Sequence, residues 1–228
     1  MVRDDFYIGM DSERIVNRGR PVAIFDFDGV ILNSVHLKGE AFVQMYQKYG
    51  VKFAERVKKF HLAHGGVSRF EKFKEWSKWL SLSLDDKDLE ALNVEYSGRI
   101  LDDILAVPYI TGVDEYLAEL SNSGVIMAIN SATPSEELIK IVRQRNIDHY
   151  FNLILGSSNS KIDNNKIILK TLCCKGTDTV FYGDALSDFK AAIAGGIEFV
   201  GVGKDIYPHL NLLKEHYFWI ENFEGSKS

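Results

Sequence analysis

Five short, apolar-rich runs punctuate the chain: VAIFDF at 22–27, VIMAIN at 125–130, NLILG at 152–156, TVFYGD at 179–184 and EFVGVG at 198–203. Their apolar stretches are continuous rather than alternating, so each reads as a strand covered on both faces, as in a parallel sheet. Between the last four runs lie segments with helical spacing: SEELIKIVRQRN, NKIILKTLCCKG and SDFKAAIAGG. This strand–helix–strand alternation predicts a doubly wound, Rossmann-like α/β domain with right-handed crossovers.

Residues 35 to 106 break the rhythm. AFVQMYQKYG has helical spacing and stops at Gly50, and SRFEKFKEWSKWL places Phe70, Phe73, Trp76, Trp79 and Leu80 on one face. DDKDLEALNVEYSGRIL follows, with acidic residues in its first turn. A connection this long predicts a small all-α domain inserted after the first strand rather than a loop. The expected division is a polar N-terminal arm at 1–19, an α/β core at 20–34 and 107–228, and a helical insert at 35–106. The aromatic-rich tail YPHLNLLKEHYFWIENF is left without an assigned role, packing against the core being the one considered.

Composition narrows the setting. The 228 residues are 46% hydrophobic and 26% charged, an ordinary globular balance. Lys plus Arg number 27 against 32 Asp plus Glu, a net charge of −5 that argues against a broad nucleic-acid footprint. The opening 20 residues hold no uninterrupted apolar core of signal-peptide length and no run reaches the length of a membrane span, so neither a signal peptide nor a span is expected. The only cysteines, Cys173 and Cys174, are adjacent, which suits neither a disulfide framework nor a zinc site. They are expected to be buried thiols in a cytoplasmic protein, and oligomeric state is left unspecified.

In an open parallel sheet, ligands bind beyond the carboxyl ends of the strands. Those ends carry Asp26 and Asp28, then Ser131 and Thr133, then Lys161, and then Asp184 and Asp188. Four converging carboxylates would repel one another, and a hard cation with oxygen ligands, Mg²⁺ where phosphates are handled, resolves the conflict. Alternate strand residues share a face, so Asp26 and Asp28 point the same way if extended geometry persists past Phe27. Thr133, Pro134 and Glu136 fit a helix start, with Thr133 as N-cap and Glu136 as its capping-box partner. Lys166 lies near Lys161 and competes with it. The stretch HLAHGGVSRF offers His64 and Arg69 around a glycine pair: Arg69 either grips a substrate anion or is solvated beside a turn. His36 lines an entrance or sits at a hinge.

FDFDGVILNS, INSATP, SKIDNNK and YGDALSDFKAA resemble the four ordered motifs of the haloacid dehalogenase superfamily, especially its Mg²⁺-dependent phosphatases with a helical cap between the first two motifs. The resemblance spans roughly residues 20 to 205. It implies Asp26 as the nucleophile that forms an aspartyl-phosphate, Asp28 as general acid/base, and Lys161 as charge partner. It further implies Ser131 with neighbouring Asn130 at the phosphate, and Mg²⁺ held by Asp26, the backbone of Asp28, Asp184 and Asp188. The expected substrate is a small phosphorylated metabolite, with no nucleic acid or membrane partner. Two other readings stay open. Hexose-phosphate mutases carry a cap histidine where this chain has Lys38, and a catalytically idle relative would be expected to lack one of the aspartates, all of which are present.

Overall fold

The computed structural model describes residues 22–211 and 218–224; the expected N-terminal arm lies outside them. In chain order the elements are β1 (Val22–Phe25), α1 (Val35–Tyr46), α2 (Val51–Ala63), α3 (Arg69–Trp79), α4 (Asp86–Ala106), α5 (Val113–Asn122), β2 (Ile126–Asn130) and α6 (Ser135–Gln144). There follow β3 (Leu153–Leu155), α7 (Lys161–Thr171), β4 (Thr179–Gly183), α8 (Leu186–Ala194), β5 (Glu198–Val202), α9 (Tyr207–Asn211) and β6 (Phe218–Ile220). The strands form one parallel sheet in the order β3-β2-β1-β4-β5-β6.

Both faces of the sheet are covered, which is why its strands read as continuous apolar runs. Ala23 and Phe25 face a core shared with Leu117 and Leu120 of α5 and Leu138 and Ile141 of α6. Val22 and Ile24 face the other, with Ile168 of α7, Phe181 of β4 and Ala192 of α8. From β1 the chain proceeds to β2 on one side, and from β4 to β5 on the other. Their carboxyl ends therefore border the crevice where strand order reverses, the usual ligand position.

Helices α1 to α4 enclose a core of their own around Phe42, Tyr46, Phe73, Trp76 and Tyr96. Phe42 stacks on Tyr96 with ring centroids 4.2 Å apart. The expected aromatic stripe of α3 supplies Phe73 and Trp76 to this core. A reciprocal cap starts α4: Asp85 accepts from the amides of Lys87 and Asp88, and Asp88 accepts from that of Asp85. The chain leaves the core beside the point where it returns. Asn33 N–H donates to Pro108 O at 3.0 Å, and Ile110 N–H to Ile31 O at 2.9 Å.

Four features differ from the expectations or were not covered by them. Helix α5 was not anticipated, although Val113, Tyr116, Leu117 and Leu120 have the i, i+3, i+4, i+7 spacing. Helix α7 begins at Lys161 rather than near Lys166, because the Ser160 hydroxyl caps the Asp163 amide at 3.1 Å. Cys173 is exposed and Cys174 only half-buried; α7 ends at Thr171, and Cys173 takes a left-handed φ of 51° in the turn beyond. The tail, left without an assigned role, adds a sixth strand at Phe218–Ile220. Phe223 is 1% exposed, its ring 5.1 Å from Tyr116 and 5.7 Å from Tyr182.

Phe223→Ala should therefore destabilise the protein by about 3–5 kcal/mol, the usual cost of emptying a buried phenylalanine site. Urea unfolding followed by tryptophan fluorescence measures this, and an unchanged midpoint would show that the tail contributes nothing to the core.

Candidate active site

Strand β1 delivers Asp26 into the crevice at 3% exposure. Its Oδ1 accepts from the Phe27 amide at 2.7 Å and lies 2.9 Å from Lys161 Nζ. Lys161 Nζ is also 2.5 Å from Asp188 Oδ1. Burial alone would lower the lysine's pKa, but Asp188 and Asp26 outweigh it and hold the ammonium above its ordinary value. Lys166 is exposed and pairs with Asp163 at 2.8 Å. Of the two competing lysines, Lys161 is the one at the crevice. Asn130 sits behind it, donating to Lys161 O and Asn165 Oδ1, both at 2.8 Å, and accepting from Asn164 at 3.0 Å. Expected at the substrate, Asn130 is instead fully buried and ties β2 to the start of α7.

Asp28 has a different set of partners. The strand ends at Phe25 and the chain bends, so the two carboxylates do not share one environment. Asp28 Oδ1 accepts from Ser34 at 2.6 Å, and Oδ2 accepts from Lys38 Nζ at 2.5 Å and Thr133 Oγ1 at 3.0 Å. Burial works to raise this carboxyl, yet Lys38 and the hydrogen bonds from Lys38, Ser34 and Thr133 bring it below the ordinary range. Thr133 is not a cap: α6 starts at Ser135 with Pro134 at the N-cap position, which frees the hydroxyl for Asp28. Ser131 is 1% exposed and its hydroxyl accepts from the Thr133 amide at 3.1 Å, bracing that loop.

Asp26, Asp184 and Asp188 each offer an oxygen within 4.8 Å of the others. The Asp184 carboxylate has no hydrogen-bond partner among the described residues. Burial raises it well above the usual carboxylate value, with Asp26 and Asp188 adding to the effect. Burial likewise raises Asp26 against the pull of Lys161. Gly29 (φ +80°) makes the close approach possible, since a Cβ there would lie 2.1 Å from Asp184 Oδ2. Hard oxygen donors with excess negative charge fit a divalent cation such as Mg²⁺.

The helical insert covers this edge. A cavity of about 390 Å³ is lined by Asp26, Asp28 and Asp184 from below and by His61, Arg69 and Lys72 from the insert. Gly65 O accepts from the Ser187 hydroxyl at 3.0 Å, and at Gly66 (φ +68°) a Cβ would meet that hydroxyl at 2.0 Å. His36 lines the cavity, whereas His64 stacks on Phe60 outside its lining. Arg69 reaches the wall but is not free to grip a ligand. Its guanidinium makes a fork on Glu137 of α6, at 2.8 and 2.5 Å, and lies 4.4 Å over the Tyr96 ring. Ser97 also donates to Glu137.

Lys38, Lys72, His61 and Glu137 escaped the reading of candidate site residues. A signal existed for Lys38, which shares the buried face of α1 with Ala41, Phe42 and Met45. Lys72 lies on the buried stripe of α3 with Phe73 and Trp76. A cation on an apolar helical stripe needs a reason to be there.

A protein-family model described as haloacid dehalogenase-like hydrolase matches residues 23–202. The chain is 24% identical over 182 residues to a phosphorylated carbohydrates phosphatase of Thermotoga maritima, covering 77% of this chain and 81% of that one. It is 27% identical over 201 residues to a phosphoglycolate phosphatase of Pseudomonas fluorescens, covering 79% and 68%. A hydrolase structure from Pseudomonas syringae superposes with a TM-score of 0.74 at 18% identity, over 89% of this chain and 94% of that one. No helix among the described residues is long and apolar enough to cross a membrane.

The Arg69–Glu137 fork joins insert to core and makes a pH prediction. Burial would raise Glu137, but Arg69 outweighs it and takes the carboxyl below its ordinary 4.5. A depressed carboxylate contributes stability that is complete above the unfolded value and lost as pH falls through the folded one. Glu137→Gln should lower the thermal midpoint at neutral pH by the equivalent of about 2 kcal/mol. The gap should begin to narrow as pH falls past the ordinary 4.5 and close only below the lowered folded-state value. Equal midpoints at neutral pH would mean that the pair adds nothing.

Proposed function

The chain belongs to the haloacid dehalogenase-like hydrolases, and we propose that within them it is an Mg²⁺-dependent phosphomonoester hydrolase acting on a small phosphorylated metabolite. The reading rests on one arrangement: two aspartates two residues apart, one held by Lys161 and the other by Lys38 and Thr133. Neighbouring carboxylates with separate partners can take separate roles. Phosphatase-named relatives support the reaction class. A cavity of about 390 Å³ suits a small ligand.

In this mechanism Asp26 attacks phosphorus. Its Oδ1 is occupied by Lys161 and the Phe27 amide, leaving Oδ2 to form the new P–O bond. As the P–O bond to the substrate breaks, Asp28 in its protonated form, the minority form beside Lys38, gives a proton to the departing oxygen, and an aspartyl-phosphate and free alcohol result. Water then attacks the same phosphorus, Asp28 takes its proton, and inorganic phosphate leaves Asp26 as a carboxylate. Lys161 balances charge on Asp26 throughout. Mg²⁺, held by Asp26, Asp184, Asp188 and the backbone of Asp28, would offset the negative charge that carboxylates and phosphoryl group bring together. The helical insert acts as a cap that excludes bulk water. The free thiols fit the cytoplasmic setting proposed for the protein.

Phosphate release from a panel of phosphorylated metabolites should require Mg²⁺ and stop with EDTA. Asp26→Asn should reduce it to background. Asp28→Asn should slow it on the order of a hundred- to ten-thousand-fold. Release at the wild-type rate by the Asp26→Asn protein would overturn the nucleophile assignment, and phosphate moving between sugar positions instead of to water would identify a mutase.

A further inference from the structure

Lys72 has no role in the chemistry above, and its environment asks for a ligand. It is 3% exposed, lies on the buried stripe of α3 and lines the cavity. Two other lysine or arginine side chains line the same cavity, and each is paired: Lys38 with Asp28 and Arg69 with Glu137. Lys72 has no carboxylate within ion-pair distance among the described residues. Among the described residues its ammonium has one hydrogen-bond partner, His61, with Nζ 3.0 Å from Nδ1.

That histidine cannot neutralise it. An ammonium donating to Nδ1 places the ring proton on Nε2, which faces Val35 O at 3.4 Å. Burial pushes His61 down to about 3, and the nearby Lys72 reinforces the effect, so the ring is neutral. Burial also pushes Lys72 down to about 7, with Lys38 and Arg69 repelling its charge and Asp28 and Asp184 favouring it from across the cavity. A buried ammonium without a counter-ion is costly, and a leucine or methionine would fill an aromatic core better. The His61 ring is itself packed, with its centroid 5.0 Å from that of Phe42. It aims the lysine from a fixed position.

We propose that Lys72, oriented by His61, receives a second anionic group of the substrate, so that the preferred substrates are small phosphomonoesters that also carry a carboxylate or a second phosphate. This deepens the hydrolase reading and rests on it for the identity of the first phosphoryl site. That first site lies at Asp26 and Lys161, where Lys72 has no hydrogen bond. The second anion therefore binds at the cap side of the cavity while the reacting phosphoryl group sits on the core side. A carboxylate or phosphate oxygen would accept from the ammonium protons that His61 leaves free. A neutral hydroxyl in its place would leave the buried charge uncompensated, which is how such a site discriminates.

The test separates this site from the chemistry by measuring binding without turnover. Asp26→Asn protein with Mg²⁺ is titrated calorimetrically with two matched pairs: phosphoglycerate against glycerol phosphate, and propanediol bisphosphate against propanediol monophosphate. The member with the second anion should bind at least tenfold more tightly in one pair or both. A preference confined to the first pair assigns a carboxylate, and one confined to the second assigns a phosphate. Adding Lys72→Met should erase the difference within each pair. Its thermal midpoint, expected to equal or exceed that of the parent, checks that the protein is folded, and Lys72→Gln serves as a second neutral variant. Equal affinity within both pairs, or a loss on Lys72→Met that is the same for both members, overturns the proposal. Phosphate release by the unmodified enzyme is scored separately. Preference for the second anion without release would sink the hydrolase reading alone, whereas release with no such preference would sink only the Lys72 site.

Discussion

Lys161 Nζ lies 2.9 Å from Asp26 and 2.5 Å from Asp188, and all three side chains are almost wholly removed from water. A single buried aspartate at the end of β1 would either neutralise itself or unfold the strand that carries it. The ammonium between two carboxylates opposes that neutralisation. It also fixes where α7 and α8 start relative to the sheet, since Lys161 is the first residue of one and Asp188 lies in the first turn of the other. Asn130 secures the arrangement by holding Lys161 O from β2. One ammonium does not balance three carboxylates, and Asp26, Asp184 and Asp188 together form a group that could hold a metal ion.

The same accounting of charges extends to the helical insert. Its position over the crevice is set by polar contacts between insert and core: Lys38 on Asp28 and Thr133, Arg69 and Ser97 on Glu137, and Gly65 on Ser187. Opening the cavity on the insert side would break such contacts, and Lys38 would leave Asp28. The Asp28 carboxylate, to which the proposed reaction gives the proton transfers, is thus electrostatically different with the insert seated and unseated. Because the chain leaves at Asn33 and returns at Pro108 through paired backbone, any such movement pivots about two adjoining connecting segments.

The strands were legible because burial on both faces imposes continuous apolar runs, and a run such as VAIFDF shows this without knowledge of its neighbours. The ordered aspartates and the convergence of strand ends follow from parallel topology, so Asp26, Asp28, Asp184 and Asp188 could be named in advance. The aromatic stripe of α3 was equally plain, since a helix repeats its buried face locally. Wherever the period of one element decides the matter, the chain alone suffices.

Partner choice across elements is another matter. Arg69 could grip a ligand or be solvated until the fold put Glu137 of α6 against it, 68 residues along the chain. Thr133 looked like a cap until the bend after Phe27 brought Asp28 to its hydroxyl, and Asn130 looked like a substrate contact until α7 closed over it. Among the described residues Lys72 has no counter-ion, because three-dimensional packing brings His61 to it and no carboxylate. Periodicity is a property of neighbours in the chain. A buried charge is balanced, or left waiting for a ligand, by groups that only the tertiary structure brings within hydrogen-bond distance.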